Sequence, residues 1–313
     1  MRRILVTGAA TWTGGSLIQR LELRPDLQVF AVDDVEPRLK FTSEFERLSL
    51  DRLDFARYLL DVAPHTVVHL QTVDRTAELG RARSHEENVV GAQALFGAIG
   101  RSAATEHVVV KSDSAVYGAS PRNPSVLTEA AQPRGRPDHY QRDLAEMERF
   151  VREVAAQHDV GYTVLRFAPI LGNRVGNAMS RYLTLPGMPT LLGFDPRLQF
   201  VHEDDAVRAL EYAMDVETPG TFNVAATGQL YLSRIIRLGL RLAQPLPKRA
   251  FDAAMRGLAA VDLFIPEHTQ SLLKHGRVID TTAMRERLAF RPELTCRQTV
   301  LAAYGRLPER RGA

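Results

Sequence analysis

The sequence predicts an α/β fold, with a doubly wound parallel sheet followed by a smaller C-terminal lobe. Short apolar runs alternate with segments of helical periodicity through the first half of the chain, as expected of repeated strand–helix units. The apolar runs show little alternation with polar residues, which is typical of strands buried on both faces. We expect the connections between these strands to be right-handed crossovers.

The elements follow one another along the chain. A strand leads through a glycine-containing turn into a helix that carries Leu17, Ile18 and Leu21 on one side. Later strands and helices are assigned in the same way, with a helix break at Pro64. The longest predicted helix begins after Asp138. The predicted strands cover residues 2–6, 27–34, 66–70, 107–111 and 162–167.

The length of 313 residues suggests two lobes. We predict a first domain over residues 1–172, which also receives parts of 195–226, and a second lobe over 173–313. The segment 231–265 is basic and amphipathic, a pattern that also occurs in helices at a membrane surface. Because proline interrupts it and acids return after it, we favour helices that close the second lobe.

Composition indicates a globular protein, with 45% hydrophobic and 25% charged residues. The net charge is only +3 and no run of five like charges occurs, so we expect no nucleic-acid partner. Cys296 is the only cysteine, and no apolar stretch approaches 18 residues. We therefore expect a cytoplasmic protein. No Cys/His cluster with metal-ligand spacing is present, so no metal site is expected.

The turn after the first strand, VTGAATWTGG at residues 6–15, is suited to a dinucleotide. A helix N-terminus offers N–H groups and the positive end of its dipole to a pyrophosphate. Glycine is expected at positions 8, 11 and 14, and the chain has Gly8 and Gly14 but Thr11. Thr11 either crowds the phosphate or hydrogen-bonds to it. Asp33 ends the second strand, where a carboxylate can accept both ribose hydroxyls and repel a 2′-phosphate. We therefore expect NAD in preference to NADP.

Further motifs follow this turn in a characteristic order: DRLD (51–54), VVHLQT (67–72), ENVVGAQ (87–93), VVVKSDSAVYG (108–118), LTEAAQP (127–133), HYQRDL (139–144), LRFAPILG (165–172), QFVHEDDAVRAL (199–210) and GTFNVA (220–225). In order and spacing, these segments and the glycine turn resemble the extended short-chain dehydrogenase/reductases. The resemblance is to the NAD-dependent nucleotide-sugar epimerase/dehydratase group, and it runs from about residue 3 to residue 303.

The resemblance implies a Rossmann-type sheet that binds NAD, and a C-terminal lobe that binds a small-molecule substrate, often a nucleotide sugar. It also implies a homodimer, since family members often pair through helices near the catalytic tyrosine. Substrate contacts are expected from Asp113, Tyr117, Gln199 and His202, although in the segment FVHEDD helix capping by the acids after His202 is the favoured alternative. The cofactor contacts that it implies are Gly8, Thr11, Trp12, Thr13, Gly14, Asp33, Asp51, Arg52, Leu70, Gln71, Thr72, Asn88, Tyr140 and Pro169.

The catalytic positions depart from the family pattern. Tyr140 occupies the place of the tyrosine that acts as acid or base during hydride transfer. Leu144 stands where the family has the lysine that binds the nicotinamide ribose and lowers the pKa of the tyrosine. Asp113, flanked by Ser112 and Ser114, occupies the place of the serine or threonine. Without the ammonium group, a tyrosine with a pKa near 10 is a poor base at neutral pH.

The start of the tyrosine helix can be derived from local sequence. Asp138 is a suitable N-cap with Gln141 three residues later, which is the spacing of a capping box. One apolar stripe at helical spacing follows, formed by Tyr140, Leu144, Met147, Val151 and Val154. Tyr140 and Leu144 therefore share a face, and a purely structural role for Tyr140 on this stripe is the alternative to catalysis.

Lys111 is the only lysine between Lys40 and Lys248, and it ends the strand that carries Asp113. We hypothesise that Lys111 supplies the displaced positive charge, paired with Asp113. An ordinary strand-end cation is the alternative. Asp113 could also be the base itself, because a carboxylate with a raised pKa can do that work.

Three functional hypotheses stay open. The favoured one is an NAD-dependent oxidoreductase or epimerase that acts on a hydroxyl or ketone of a nucleotide-sugar-like substrate, with Tyr140 as acid/base. The second is an NAD-binding or interaction protein with impaired catalysis, which Thr11, Asp113 and Leu144 indicate. The third is a reductase of a lipid- or sterol-like ketone. An exposed apolar mouth would favour the third, whereas a diphosphate needs convergent arginines.

Overall fold

The computed structural model describes residues 1–73, 80–261 and 263–306. Its central sheet has seven strands, and every neighbouring pair in it runs parallel. The described strands are β1 (Arg2–Thr7), β2 (Leu27–Asp33), β3 (Glu44–Arg47), β4 (Thr66–His69), β5 (His107–Asp113), β6 (Gly161–Phe167), β7 (Ile170–Leu171), β8 (Gly187–Leu191), β9 (Arg197–Leu198), β10 (Val201–His202), β11 (Gly220–Val224), β12 (Leu230–Tyr231) and β13 (Leu242–Leu246).

The strand order across the central sheet is β11-β6-β5-β4-β1-β2-β3. From β3 to β6 this is the order of a Rossmann-type doubly wound sheet, which confirms the predicted fold class. Because the strands are parallel, their carboxyl ends meet at one edge. The strand order reverses between β1 and β4, and sheets of this kind bind ligands in the crevice outside the carboxyl ends at such a point.

The helices cover the sheet and build the C-terminal lobe. A π-helical stretch (Glu86–Val90) joins two of them, and 3₁₀ turns occur at Ser114–Tyr117 and Ala259–Val261. The described α-helices are α1 (Trp12–Leu21), α2 (Leu53–Val62), α3 (Arg81–His85), α4 (Gly91–Ile99), α5 (His139–His158), α6 (Ala178–Thr184), α7 (Glu203–Val216), α8 (Leu232–Leu238), α9 (Lys248–Leu258), α10 (Glu267–His275), α11 (Thr282–Glu286) and α12 (Cys296–Ala303).

Two apolar clusters cover the two faces of the sheet. Leu5 and Val67 point to the face that α2, α4 and α5 cover, while Ile4 and Val68 point to the face that α1 and α7 cover. Successive side chains of a strand point to opposite faces, so strands buried on both faces must be apolar throughout. This is why the sequence predicted these strands from continuous apolar runs.

Strand β3 was not predicted from the sequence. Its residues, EFER, are largely exposed, and among the described strands it lies at the edge of the sheet, next to β2 alone. An edge strand that buries little apolar surface has no hydrophobic run to reveal it. Its conformation follows from pairing with β2 and not from a local pattern.

A third apolar cluster lies outside the sheet, in the C-terminal part of the chain. The amphipathic segment 231–265 buries Leu232, Ile235, Phe251 and Met255 in this cluster. Its apolar side is therefore buried within the protein, and its role in closing a second lobe stays a prediction. The division of the chain near residue 172 stays a prediction, and residues 307–313 of the predicted lobe lie outside the described residues.

A membrane-spanning helix would have to be long and apolar. Across the described ranges, no helix meets both requirements.

Helix α5 begins as the local sequence predicts. The Asp138 carboxylate accepts the Gln141 N–H at 2.9 Å, and the Gln141 side chain accepts the Asp138 N–H at 3.0 Å. Leu144 and Met147 are buried in the apolar cluster between α5 and the sheet. Tyr140 is partly buried against the same cluster, one turn before Leu144. The predicted stripe therefore carries Tyr140 to the carboxyl edge of the sheet.

A buried ion pair holds α5 against the sheet. Arg166 of β6 donates to Glu148 of α5 through Nε at 2.9 Å and Nη2 at 2.5 Å, and Glu148 is only 1% exposed. The Ser112 hydroxyl of β5 donates to the same carboxylate at 2.7 Å. Burial alone would raise the pKa of Glu148, but the hydrogen bonds and charge of Arg166 outweigh it and hold that pKa below its usual value.

We expect Glu148→Ala to destabilise the fold strongly, because it leaves the Arg166 guanidinium buried without its counter-charge. Breaking such a pair costs about 3–5 kcal/mol of unfolding free energy, which urea unfolding can measure. The control is Glu153→Ala, since Glu153 forms an exposed pair with Arg149 at 2.8 Å. Such pairs contribute about 0–1 kcal/mol. Equal losses in the two variants would contradict the structural role of Glu148.

The same pair predicts a direction for the pH dependence of stability. The pKa of Glu148 is lower in the folded protein than in the unfolded chain. Its stabilisation is therefore fully present above the unfolded value of about 4.3, and is lost as the pH falls through the folded value. The difference in unfolding free energy between the wild type and Glu148→Ala should therefore become smaller as the pH falls below about 4.3.

Candidate active site

A cavity of about 210 Å³ lies at the carboxyl edge of the sheet. Its walls come from the segments that follow β1, β4 and β6, from the end of β5 and the start of α5, and from helices and a loop of the C-terminal lobe. The predicted site residues that line it are Thr11, Thr13, Leu70, Thr72, Lys111, Ser112, Asp113, Tyr140 and Pro169. The lobe contributes Asn177, Met179, His268, Thr269, Leu272 and Arg277, none of which the sequence singled out.

The turn after β1 brings backbone segments very close together. Gly8 has a φ of +79°, and a Cβ atom there would lie 2.8 Å from the Gln71 nitrogen. A Cβ on Gly14 would lie 2.2 Å from the Gly8 carbonyl oxygen. The Thr11 hydroxyl donates to that carbonyl at 2.9 Å and accepts the Gly14 N–H at 3.0 Å, so Thr11 is the N-cap of α1. Thr11 therefore stabilises the turn with its own side chain.

The Trp12 side chain packs on a cation of the protein. The guanidinium carbon of Arg174 lies 4.5 Å from the ring centroid, and Arg174 also pairs with Glu203 at 2.7 Å. One face of the Trp12 ring is therefore covered by Arg174, and the cofactor contact of Trp12 stays a prediction.

A second cavity, of about 300 Å³, adjoins the same crevice. Leu70 and Thr72 line the first cavity, and Gln71 between them lines the second together with Asp51 and Arg52. Within the described residues, the Gln71 Oε1 atom is buried and accepts no hydrogen bond. Buried polar atoms are rarely left unpaired, so this acceptor fits an N–H donor of a ligand, such as the amino group of adenine. The residues present thus fit the adenosine half of NAD.

Two neighbouring acids, Asp33 and Asp34, lie at the end of β2, and their carboxylates have different surroundings. The Asp33 carboxylate is 5% exposed and accepts the N–H groups of Ala10 at 2.8 Å and Val35 at 3.3 Å. Burial, with a further contribution from Asp34, raises the pKa of Asp33 to about 6. Asp34 lines the second cavity and pairs with Arg83 at 3.3 Å. The ribose contact of Asp33 stays a prediction, with Asp34 as a second candidate.

Asn88 acts on the loop after β4 and lines neither of these two cavities. It lies in the π-helical stretch, is 1% exposed, and accepts the Val73 N–H at 2.7 Å while donating to the Val73 carbonyl at 2.8 Å. Single π turns inside helices often occur at functional sites. Any influence of Asn88 on the cofactor therefore passes through the backbone of Val73.

Tyr140 lines the 210 Å³ cavity and stacks on a histidine of the lobe. The ring centroids of Tyr140 and His268 are 4.8 Å apart, at an interplanar angle of 35°. Burial lowers the pKa of His268 to about 4, so its ring is neutral at neutral pH. One turn along α5, Leu144 is 1% exposed among apolar side chains. Position 144 therefore belongs to the core, where an ammonium group would be costly to bury.

Two of the lining side chains carry a positive charge, Lys111 and Arg277. Lys111 Nζ donates to the Thr72 hydroxyl at 2.7 Å, and burial lowers its pKa against the opposing charge of Asp113. Asp113 accepts the Ala115 N–H at 2.6 Å and lies 3.7 Å from Arg277 Nη2. The expected pairing of Asp113 with Lys111 is thus corrected: its ion pair among the described residues is with Arg277.

Ser112, Ser114 and Tyr117 are buried, each about 1% exposed. Ser112 is bonded to Glu148, and the Tyr117 hydroxyl donates to Asn223 at 2.7 Å. Tyr117 does not line the 210 Å³ cavity, so the structure does not bring this predicted substrate residue to Tyr140. Its hydroxyl joins β6 to β11, because it accepts a hydrogen bond from Arg166 and donates one to Asn223.

Gln199 and His202 are also tied into the protein. The Gln199 side chain accepts the Ile279 N–H at 3.0 Å, and His202 is the N-cap of α7, accepting the Asp204 N–H at 3.2 Å. Neither residue lines the 210 Å³ cavity. The N-cap of α7 is His202 itself and not one of the acids that follow it, which corrects the expected capping by those acids.

A sequence comparison agrees with this geometry, because residues 4–225 match the NAD dependent epimerase/dehydratase family. The chain belongs to this family. The match confirms the predicted family, and with it an NAD-dependent enzyme of the epimerase/dehydratase type with NAD as its cofactor.

Two mycobacterial proteins are similar to this chain over most of its length, and both are named as uncharacterized proteins. A protein of Mycobacterium tuberculosis is 36% identical over 305 residues, covering 93% of this chain and 80% of the relative. A protein of Mycobacterium bovis matches with the same identity and coverage. They place this chain in a bacterial group without assigning a substrate.

Solved structures of nucleotide-sugar enzymes share the fold. MoeE5 in complex with UDP-glucuronic acid and NAD has a TM-score of 0.76 at 21% identity, with 97% of this chain and 98% of that chain covered. The UDP-glucuronic acid 4-epimerase of Bacillus cereus in complex with NAD has a TM-score of 0.75 at 18% identity, with the same coverage. At such identities the similarity shows the fold alone.

If Asp33 accepts the ribose hydroxyls as predicted, its carboxylate must be ionised, so we expect NAD to bind more weakly as the pH falls through about 6. Asp33→Asn should weaken NAD binding at pH 7.5 by about 10- to 100-fold and remove this pH dependence. Calorimetric titration with NAD between pH 5 and 8 measures both effects. Asp34→Asn is the matched control. A loss of affinity in Asp34→Asn alone would assign the ribose contact to Asp34 instead.

Proposed function

We propose that this chain transfers a hydride between NAD and a hydroxyl or ketone carbon of a nucleotide-sugar-like substrate, with Tyr140 as acid/base. The observation that carries the proposal is the composition of the 210 Å³ cavity. Residues of the glycine turn, the β4 exit and the start of α5 line this one space, together with Asp113. A reacting carbon there would lie between the cofactor side and the phenol of Tyr140.

NAD would be held by the turn after β1, the β4 exit and the acids at the end of β2, and when bound it would accept the hydride. Tyr140 would take the proton of the substrate hydroxyl during oxidation and return it to the carbonyl oxygen during reduction. Asp113 faces the same cavity and would orient that oxygen. The neutral His268 ring packs on Tyr140 and limits the movement of the phenol.

A larger cavity, of about 600 Å³, supports a nucleotide-sugar-like substrate. Arg197 and Lys274 line it together with Tyr231, and Arg277 lines both this cavity and the one that contains Tyr140. A diphosphate is suited to such convergent cations, and a base can stack on an aromatic ring. A lipid- or sterol-like ketone would need an apolar mouth in place of these cations. Two structures of the similar enzyme MoeE5, one with UDP-glucose and one with UDP-glucuronic acid, support the same substrate class.

NAD binding without turnover is the second candidate. It is favoured by the position of Leu144, which is buried in the core and offers no charge to Tyr140. The two candidates share NAD binding and differ only in hydride transfer.

The cytoplasmic location and the homodimer expected from the sequence also remain part of the proposal, and sedimentation analysis tests the homodimer.

We expect the wild type, given NAD and a panel of UDP-hexoses and UDP-hexuronic acids, to form NADH or an epimeric sugar with at least one of them. Tyr140→Phe should lower kcat by about 10²- to 10⁴-fold, since general acid–base catalysis contributes that factor. Its NAD affinity should not change. Absorbance at 340 nm and chromatography of the sugars measure turnover. Tyr162→Phe, on β6 and outside the cavity, is the control. Equal turnover in Tyr140→Phe would rule out the acid/base role.

Lys111 is proposed as the catalytic cation on the cofactor side, because its Nζ is bonded to Thr72 at the β4 exit. Lys111→Met should abolish turnover, while its unfolding free energy stays near that of the wild type, since a buried ammonium is replaced by an apolar chain of similar length. Lys248→Met, at a position whose side chain is 77% exposed, is the control. Unchanged turnover in Lys111→Met would leave it an ordinary strand-end cation.

A further inference from the structure

Arg277 is a buried cation with an incomplete set of partners. Its side chain is only 2% exposed, and its Nη2 atom lies 3.7 Å from Asp113. Its Nη1 atom is buried and makes no hydrogen bond within the described part of the chain. A buried guanidinium with an unpaired N–H group is costly, so a ligand or a transient charge that completes its bonding is expected nearby.

The backbone holds Arg277 in place without help from its side chain. Gly276 has a φ of +72°, and a Cβ atom there would lie 2.5 Å from the Arg197 carbonyl oxygen. The Arg277 N–H donates to that same carbonyl at 3.0 Å. The loop after α10 is therefore pressed against β9, and the guanidinium enters the cavity from the lobe in a preset position.

The groups that face Arg277 come from several elements. Burial lowers the pKa of Arg277, while the negative or ionisable oxygens around it act in the opposite direction. Asp138 is one of them, but its carboxylate is already used as the N-cap of α5. The charged or ionisable neighbours are Asp113 of β5, Tyr117 of the following 3₁₀ turn, Asp138 and Tyr140 at the start of α5, and His268 of α10.

We infer that Arg277 supplies the positive charge that the family pattern places four residues after the tyrosine. When Tyr140 loses its proton, Nη1 would stabilise the negative charge on the phenolate and on the substrate oxygen that shares the proton. Asp113 would hold the guanidinium in place through Nη2. This inference rests on the proposed function. In this inference Arg277 activates Tyr140. Lys111, which is bonded to Thr72, acts on the cofactor side of the cavity.

The proton balance of this step needs no further reactant. The proton of the substrate hydroxyl passes to the Tyr140 phenolate as the hydride leaves the same carbon, and the reverse step returns both. Arg277 keeps its own protons throughout and acts only by charge. An arginine is suited to this role because its guanidinium stays protonated even when buried.

The first test is a spectrophotometric titration of the phenol of Tyr140, isolated as the difference between each protein and its Tyr140→Phe counterpart. In Arg277→Met the midpoint of ionisation should move to higher pH by about 1–3 units, the effect of removing an adjacent opposite charge. Arg277→Lys should move it less, because the charge is retained. Lys111→Met is the matched control and should move it less than Arg277→Met does. A larger shift in Lys111→Met than in Arg277→Met would overturn the inference.

A second variant keeps the test valid if Arg277→Met does not fold. In Asp113→Asn the guanidinium remains and its counter-charge is removed, so the midpoint for Tyr140 should fall. A midpoint that rises in Asp113→Asn would contradict the inference. Circular dichroism and NAD binding establish that each variant is folded before it is titrated.

The kinetic test separates this inference from the proposed function. If a sugar nucleotide reacts, the pH at which kcat reaches half its plateau should move upward in Arg277→Met together with the phenol midpoint. Turnover in the wild type with an unmoved midpoint in Arg277→Met would refute the inference and leave the proposed function standing. A moved midpoint without turnover in any variant would refute the proposed function and support the charge interaction between Arg277 and Tyr140.

Discussion

The buried ion pair between Glu148 and Arg166 is the interaction on which the position of the active site depends. It joins α5 to β6, and the hydroxyl of Ser112 adds β5 to the same carboxylate. Arg166 also donates to the Tyr117 hydroxyl, which bonds in turn to Asn223 of β11. Tyr140 lies about two turns before Glu148 on the same helix, so this network sets where the phenol meets the carboxyl edge. Such a network is stable in a low-dielectric interior only when its members are paired, which explains its many shared hydrogen bonds.

The polar and charged lining of the 210 Å³ cavity comes from two parts of the chain. The sheet and α5 bring Tyr140, Asp113 and Lys111, while the lobe brings His268 and Arg277. In the family pattern, tyrosine and lysine lie one helical turn apart on the same helix. Here position 144 is part of the core, and the cations come from a strand end and from a loop of the lobe. The charge distribution around Tyr140 therefore depends on the packing of the lobe against the sheet.

The turn after β1 departs from the glycine motif of dinucleotide-binding proteins but keeps the backbone geometry of that motif. A third glycine would leave room at position 11, whereas Thr11 uses its hydroxyl to cap α1 and to bond the Gly8 carbonyl. The close backbone approaches at Gly8 and Gly14 are retained. Beyond the turn, Gln71, whose buried side-chain oxygen accepts no hydrogen bond among the described residues, lines a cavity that fits an adenosine group. The altered turn thus keeps the geometry that a dinucleotide needs.

The sequence by itself determined the parallel sheet, the capped start of α5 and the family. Strands buried on both faces must be apolar, a capping box needs only residues three apart, and the family follows from the order of its motifs. Only the tertiary structure decided the edge strand β3, the pairing of Asp113 with Arg277 and the stacking of His268 on Tyr140. Each of these joins segments that are distant in the chain or adds little apolar burial. Local periodicity therefore contains no signal for them, and burial and unpaired atoms exist only after the chain has folded.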